Sequence, residues 1–293
     1  MSPKVTVITA TYNSSRTLRY TIQSVLKQDF KDFEYWIIGD GCTDDSEEVV
    51  RSFNDPRVKW HNLSSNSGSQ AIPNNAGLER ALGAYIAYVG HDDLWRENHL
   101  SSLLDVLASG SATLAHSLAF LIGPEGLRYV HGALGRGRDY TNFAAVPSSW
   151  MHKNTSQRWQ DARAIGRAID NDFFWRWHQS GLGITSTEKL TLLKFPSPWW
   201  GLYQRQENFP QIIYWEKLSS GIDEWQTELL LQAAMLLAQQ QTALLTFKQC
   251  LKQSVIPLWW FFATRYPKLP PVYLYFQTLR KAQRKLRGLP PER

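Results

Sequence analysis

Residues 4–89 constrain the fold of this chain more than any other stretch, because short β-branched runs alternate there with helical ones. KVTVITATY (4–12) has the composition of a buried strand. Asn13 or Ser14 can then cap a helix whose apolar residues Leu18, Ile22, Val25 and Leu26 share one face. FEYWIIGDG (33–41) reads as a second strand and turn. DDSEEVVRSF (44–53) then starts a helix with acids in the first turn, where the helix dipole favours them. VKWHNL (58–63), a helix over 74–82 and AYIAYV (84–89) complete the pattern. Strands and helices in this alternation predict an α/β fold with a mainly parallel, doubly wound sheet. Ligands of such sheets bind beyond the carboxyl ends of the strands. Asn13, Asp40 and the pair Asp92/Asp93 all lie just past such ends, so the topology brings them to one crevice.

Composition narrows the class. Of the 293 residues, 43% are hydrophobic and 20% charged, which excludes wholesale disorder. Two cysteines, Cys42 and Cys250, form no disulfide framework or metal-ligand spacing and are expected as reduced thiols. The N-terminus enters a strand at once and has no secretory hydrophobic core. No run reaches the roughly 18 apolar residues that a membrane span needs. The expected location is the cytoplasm. The net charge of +6 is uneven: between Thr246 and Arg293, ten Lys or Arg stand against the single acid Glu292. The basic character therefore belongs to the tail, and no nucleic-acid footprint covers the body.

Beyond the first sheet, GALGRGRDY (132–140) reads as a loop and ARAIGRAIDNDFFWRWHQSG (162–181) as a helix ended by Gly181. A Pro/Trp-rich passage around 195–210 separates a first domain, 1–205, from a helical C-terminal region, 206–293. In the tail, Val255–Ala263 is apolar and aromatic. A helix after Pro270-Pro271 would align Val272, Phe276, Leu279 and Leu286 opposite a row of Lys and Arg. That pattern suits a peripheral anchor on an anionic membrane face, and equally a helix packed on the body or on a second subunit.

The blocks TATYN, IIGDGCTDDS, NSGSQAIPNNAGLERALGAYIAYVGHDD and AIDNDFFWRW occur in an order that resembles the family-2 glycosyltransferases, inverting enzymes of the A-type nucleotide-sugar fold. The resemblance covers about Lys4 to Asp93 and the region around Asp170 to Gly181. It implies that Thr9, Ala10, Tyr12 and Asn13 line the nucleotide and that Asp40 accepts a hydrogen bond from its base. Asn66, Gly68, Asn75 and Gly77 match an N-x-G … N-x-G block; each could equally be a turn or cap residue. Asp92 matches the metal-binding Asp of a D-x-D element, and Mn²⁺ or Mg²⁺ there would neutralise a diphosphate leaving group. His91 could reach the diphosphate or be structural. Asp93 is expected to cap a helix beginning LWRENHLSSLL. Asp170, with Asp172 as the alternative, is expected to deprotonate the acceptor hydroxyl, although both could be first-turn helix acids. Trp150, His152, Trp159, Trp199 and Trp200 are candidate sugar contacts, and Arg80 or Arg136/Arg138 candidate diphosphate cations.

The chain departs from the family pattern at four places: Gly39 and Gly90 stand where relatives carry Asp, Pro73 precedes the second N-x-G, and Ile169 replaces a common Glu. The expected function is metal-dependent transfer of a sugar from a UDP- or dTDP-type donor to a hydroxyl acceptor, such as a lipid-linked or cell-surface glycan. The alternatives are a catalytically silent carbohydrate- or membrane-binding protein and a nucleotidyltransferase, whose expected Gly-rich loop TATYNSSRTL lacks.

Overall fold

A computed structural model describes residues 2–132, 145–165, 168–196, 210–220, 225–236 and 238–239. The first four strands, β1 (Val5–Thr11), β2 (Phe33–Gly39), β3 (Val58–Asn62) and β4 (Tyr85–Tyr88), pair in parallel in the order β3-β2-β1-β4. Their crossovers are α1 (Ser15–Leu26), α2 (Ser46–Ser52) and α3 (Ala71–Arg80). α3 starts three residues earlier than 74–82 predicts, with Pro73 in its first turn, where no intrahelical N–H bond is lost.

After β4 the sheet becomes mixed. A two-residue strand, β5 (Leu94–Trp95), precedes α4 (His99–Ala108), and β6 (Leu114–Gly123) with β7 (Gly126–His131) forms a hairpin. β8 (Trp150–Lys153) lies antiparallel between β4 and β6. α5 (Ala162–Ile165) and α6 (Ile169–Gln179) lead to β9 (Ile184–Lys194), which is parallel to β6 and antiparallel to β5. The full order is β3-β2-β1-β4-β8-β6-β9-β5, with β7 on β6. The single helix expected over 162–181 is divided, because Ala168 is extended (ψ 135°) and starts α6 anew. Gly181 ends it in the left-handed region (φ 73°), as the sequence suggests.

Apolar side chains cover both faces of the sheet. On one, Val5, Val7, Tyr35 and Ile37 pack with Leu18, Ile22 and Val25 of α1 and with Leu100 and Leu103 of α4. On the other, Ile8, Ile86 and Tyr88 meet Leu78, Trp150, Trp159, Phe173 and Trp177. Each such fully buried side chain contributes about 2 kcal/mol. Gly77 permits this second face to close, since a Cβ there would sit 2.7 Å from Ile8 Cγ2. Trp150, Trp159 and His152 are buried in that aromatic stack, which corrects their reading as sugar contacts. Burial pushes the His152 imidazole down to about 4 and that of His99 down to about 3.

Among the described residues no helix is long and apolar enough to cross a membrane. Trp199, Trp200, Arg136, Arg138, Cys250 and the basic tail lie outside the described residues.

Candidate functional site

The carboxyl ends of β1 and β2 are joined before any ligand arrives. Asn13, in the left-handed region at φ 45°, does not cap α1; its Oδ1 accepts hydrogen bonds from Thr43 N (2.8 Å) and Asp44 N (3.3 Å). Asp44 reciprocates, its Oδ2 accepting from Ser15 N at 3.1 Å in the first turn of α1. Tyr12, 44% exposed, follows β1 directly before Asn13. Thr9 lies beneath: it is fully buried, its hydroxyl bonds to Tyr35 and to Val89 O, and its side chain supports the floor and does not line the opening.

Asp40 follows β2 and is 6% exposed. Its Oδ1 accepts from Ser67 N (3.0 Å) and its Oδ2 from Asn66 Nδ2 (3.2 Å), so it fastens the 66–68 loop over the strand end. Gly68 takes φ 70° in that loop, its N–H bonded to Asn66 Oδ1. Gly39 has a packing reason: a Cβ there would collide with Asn62 Oδ1 and with the Trp60 ring. Asn75 points elsewhere, exchanging two 2.9 Å bonds with the backbone N and O of Trp159. It anchors α3 to the Trp159 backbone.

At the end of β4 the two adjacent carboxylates separate. His91 Nδ1 lies 3.3 Å from Ala10 O and ties the β4 turn to β1. Asp93 is fully buried and does not cap a helix, which corrects the sequence expectation. The chain continues into β5, and α4 begins only at His99 after Asn98. Asp93 instead accepts hydrogen bonds from Ser148 Oγ (2.5 Å), Lys194 Nζ (2.9 Å) and Phe195 N (3.3 Å). Burial drives its carboxyl upward while Lys194 opposes that shift; with three donors converging on it, we assign the pair as an ion pair. Burial disfavours the Lys194 charge in turn, yet Asp93, Asp92 and Asp170 together hold its ammonium above the usual lysine range.

Asp92 keeps a small opening, at 8% exposed. Gln211 Nε2 holds its backbone carbonyl at 3.1 Å. Gly90 stands between the two carboxylates, since a Cβ there would lie 2.9 Å from Asp93 Oδ2 and 3.0 Å from Asp92 Oδ1. A third acid at position 90 would crowd them.

α6 carries the last two candidates. Asp172 is 4% exposed and pairs with Arg176 at 2.7 Å. Asp170, one residue inside the helix start, is half-buried and accepts only a local bond from Asn171 N (2.9 Å) among the hydrogen bonds given by described residues. It is also close enough to Lys194 to raise the stability of its charge.

The sequence model described as Glycosyl transferase family 2 matches residues 6–174, more than half of the chain. The chain belongs to glycosyl transferase family 2. A putative teichuronic acid biosynthesis glycosyltransferase of Bacillus subtilis, TuaG, is 31% identical over 134 residues, 44% of this chain and 53% of that protein. The poly(ribitol-phosphate) β-N-acetylglucosaminyltransferase TarP of Staphylococcus aureus is 36% identical over 176 residues, 59% of this chain and 46% of that one. The chain spans about half the length of the curated relatives it matches. Residues 1–349 of S. aureus TarS, in complex with UDP, share the fold with a TM-score of 0.55 at 18% identity over 67% of this chain and 61% of that one. The mannosyltransferase PcManGT of Pyrobaculum calidifontis, in complex with GDP-Man and Mn²⁺, has a TM-score of 0.54 at 16% identity over 98% of this chain and 88% of that one. The A-type transferase fold is thus established for this family member.

Sequence reasoning missed Ser148, Lys194 and Gln211. Each reaches the Gly90–Asp93 turn from a residue at least 55 positions distant. The one signal available was a lysine ending the apolar run TLLK, a cation placed at the carboxyl end of a strand.

Proposed function

We propose that the chain is a metal-dependent inverting glycosyltransferase that moves a sugar from a UDP- or dTDP-type donor to a hydroxyl on a cell-surface or lipid-linked glycan. The observation that carries the reading is the joining of the β1, β2 and β4 ends: Asn13 bonds to the Thr43–Asp44 turn, His91 bonds to Ala10, and Asp92 follows His91 with its side chain outside the Asp93–Lys194 pair. Asp92 then serves the donor, and Asp170 at the start of α6 serves the acceptor. Relatives named for teichuronic acid, poly(ribitol-phosphate) and undecaprenol-linked sugars support the acceptor class. TarS complexes with UDP and UDP-GlcNAc support the donor class.

A divalent ion fits Asp92 on the chemistry of the donor set. Its carboxylate is hard and partly open, while Asp93 is consumed by Lys194. Among the described residues no three His, Cys, Asp or Glu side chains gather into a complete cage. Mg²⁺ or Mn²⁺ suits such a site, because it binds through one or two carboxylates together with substrate phosphates and water. Bound there, it would neutralise charge that develops on the diphosphate as the glycosidic bond breaks.

The chain's own residues supply the rest. Tyr12 offers a stacking face for the base, and Asp40 with the 66–68 loop shapes its edge. His91, held against Ala10, borders the diphosphate. Asp170 takes the proton of the attacking hydroxyl, which inversion requires in a single displacement. Asp172, committed to Arg176, holds the helix that carries it. The C-terminal region, 206–293, would supply a peripheral contact with an anionic membrane face on which a lipid-linked acceptor resides.

Calorimetric titration of UDP in the presence of Mn²⁺, followed by transfer assays on Asp92→Ala and Asp170→Ala, tests this reading. Asp92→Ala should lose metal-dependent UDP binding, and Asp170→Ala should bind UDP yet not transfer. Absence of nucleoside diphosphate binding by the wild type with metal present would refute it.

A further inference from the structure

After β9 the chain returns to the turn that carries Asp92. It does so on a further helix, α7 (Pro210–Ser219), and the compact unit that contains the sheet runs on to Leu236. Contacts with the sheet domain seat α7. Its Tyr214 ring meets Phe195, the residue after β9, with centroids 5.4 Å apart. Lys27, just past α1, stands 5.2 Å over the Trp215 ring and donates to Ser219 O at 3.4 Å. The helical residues 225–236 add Gln226, whose Oε1 accepts from Arg96 at 2.6 Å.

In the first turn of α7, Gln211 is fully buried, and its Nε2 donates to Asp92 O at 3.1 Å. No other hydrogen bond reaches Asp92 among the described residues. Its neighbours are held by other groups. Ser148 Oγ accepts from Gly90 N at 2.9 Å, His91 Nδ1 lies 3.3 Å from Ala10 O, and Thr21 Oγ1 donates to Asp93 O at 2.9 Å. The peptide between Asp92 and Asp93 is therefore gripped at both polar atoms, Asp93 N on Gly90 O at 3.1 Å and Asp92 O on Gln211. Fixing the plane of that peptide restricts ψ of Asp92, one of the two soft backbone angles that aim its side chain. Stability alone does not account for the glutamine. Its Oε1 is buried and has no hydrogen-bond partner among the described residues. A buried acceptor left without a donor costs more than one ordinary hydrogen bond returns, so the side chain calls for a reason beyond packing.

We infer that Gln211 is a positioning residue for Asp92: from α7 it holds the Asp92 carbonyl, restricts the direction of the carboxylate, and makes the helix after β9 part of the donor site. The amide reaches only the main chain of Asp92, so the carboxylate stays available to a ligand. Among the described residues no three His, Cys, Asp or Glu side chains form a cage. An ion held by so few protein groups depends closely on how each is aimed. The inference rests on the transferase reading for the ion that Asp92 serves; the fixing of the turn does not.

The test uses the full chain with Gln211→Leu, which removes the donor, and with Gln211→Met should that variant not fold. UDP is titrated by calorimetry, once with Mn²⁺ and once with EDTA. With Mn²⁺ the dissociation constant should rise about tenfold, and with EDTA it should change by less than about twofold. Loss of a merely structural tie would weaken both titrations alike; equal weakening in the two, or none with Mn²⁺, overturns the inference. A second readout needs neither ligand nor activity. Hydrogen exchange of the Asp93 amide, bonded to Gly90 O, should be at least about fivefold faster in the variant, with the amides of β1 unchanged. An Asp93 amide that exchanges at the wild-type rate overturns the inference. If the wild type binds no UDP, or binds it no better with Mn²⁺ than with EDTA, the metal-dependent transferase reading fails, and the exchange measurement alone decides the role of Gln211.

Discussion

Replacing Asp93 by Asn separates two accounts of this residue sharply. As a helix cap, Asn serves as well as Asp, so the substitution would be close to neutral. In the structure the carboxylate is fully buried against Lys194 and receives two further hydrogen bonds, from Ser148 and Phe195. Removing one member of a buried ion pair costs about 3–5 kcal/mol, because the other charge stays desolvated. Lys194 is a quarter exposed, so the low end applies, about 3 kcal/mol. For a domain of this size that corresponds to a fall in melting temperature of roughly 6–12 °C. Urea unfolding followed by circular dichroism, with the slope unchanged between variants, measures it. A loss below about 1 kcal/mol would refute the ion-pair account and return Asp93 to an ordinary turn residue.

Three further outcomes follow from the geometry. Asp170→Asn should lower kcat by about 10²–10⁴ with the fold intact, whereas Asp172→Asn should act mainly on stability through the lost Arg176 pair; steady-state kinetics and thermal melts on both distinguish them. Asn75→Ala should cost about 2 kcal/mol, by leaving the Trp159 backbone groups unpaired, and should leave UDP affinity nearly unchanged by calorimetry. His99 and His152 are buried and neutral, with values pushed down to about 3 and about 4, so the unfolded chain binds protons that the native one refuses. Stability is then intact above about pH 6.5 and falls as the pH drops below it, by roughly 2 kcal/mol per histidine at pH 5. Urea midpoints at pH 7 and pH 5 should show this, with His152→Gln removing about half of the difference.

The parallel half of the sheet was legible because its signals are local. β-branched runs begin about every 25 residues with turn residues between them, and each speaks for itself. The antiparallel insertion of β8 was not, since WMHK is four residues long and its partners Tyr85–Ala87 and Leu114–His116 are distant in sequence. The site shows the same division. Asp40, Asp92 and Asp170 announce themselves at strand and helix ends, but their surroundings come from long-range partners. Asp93 looked like a cap because Lys194 lies 101 residues away. The departures Gly39 and Gly90 became intelligible only once Trp60, Asn62 and the two carboxylates were seen to fill the space a side chain would need.

The reciprocal bonds between Asn13 and the Thr43–Asp44 turn, and between Asp44 and Ser15, have a thermodynamic consequence. Two strand exits that would otherwise fluctuate separately are ordered during folding. The entropy of fixing that wall is therefore lost once, when the domain forms, and not each time a nucleotide enters. Affinity on this side of the crevice can be retained with few direct contacts, and the wall admits and releases its ligand without reorganising.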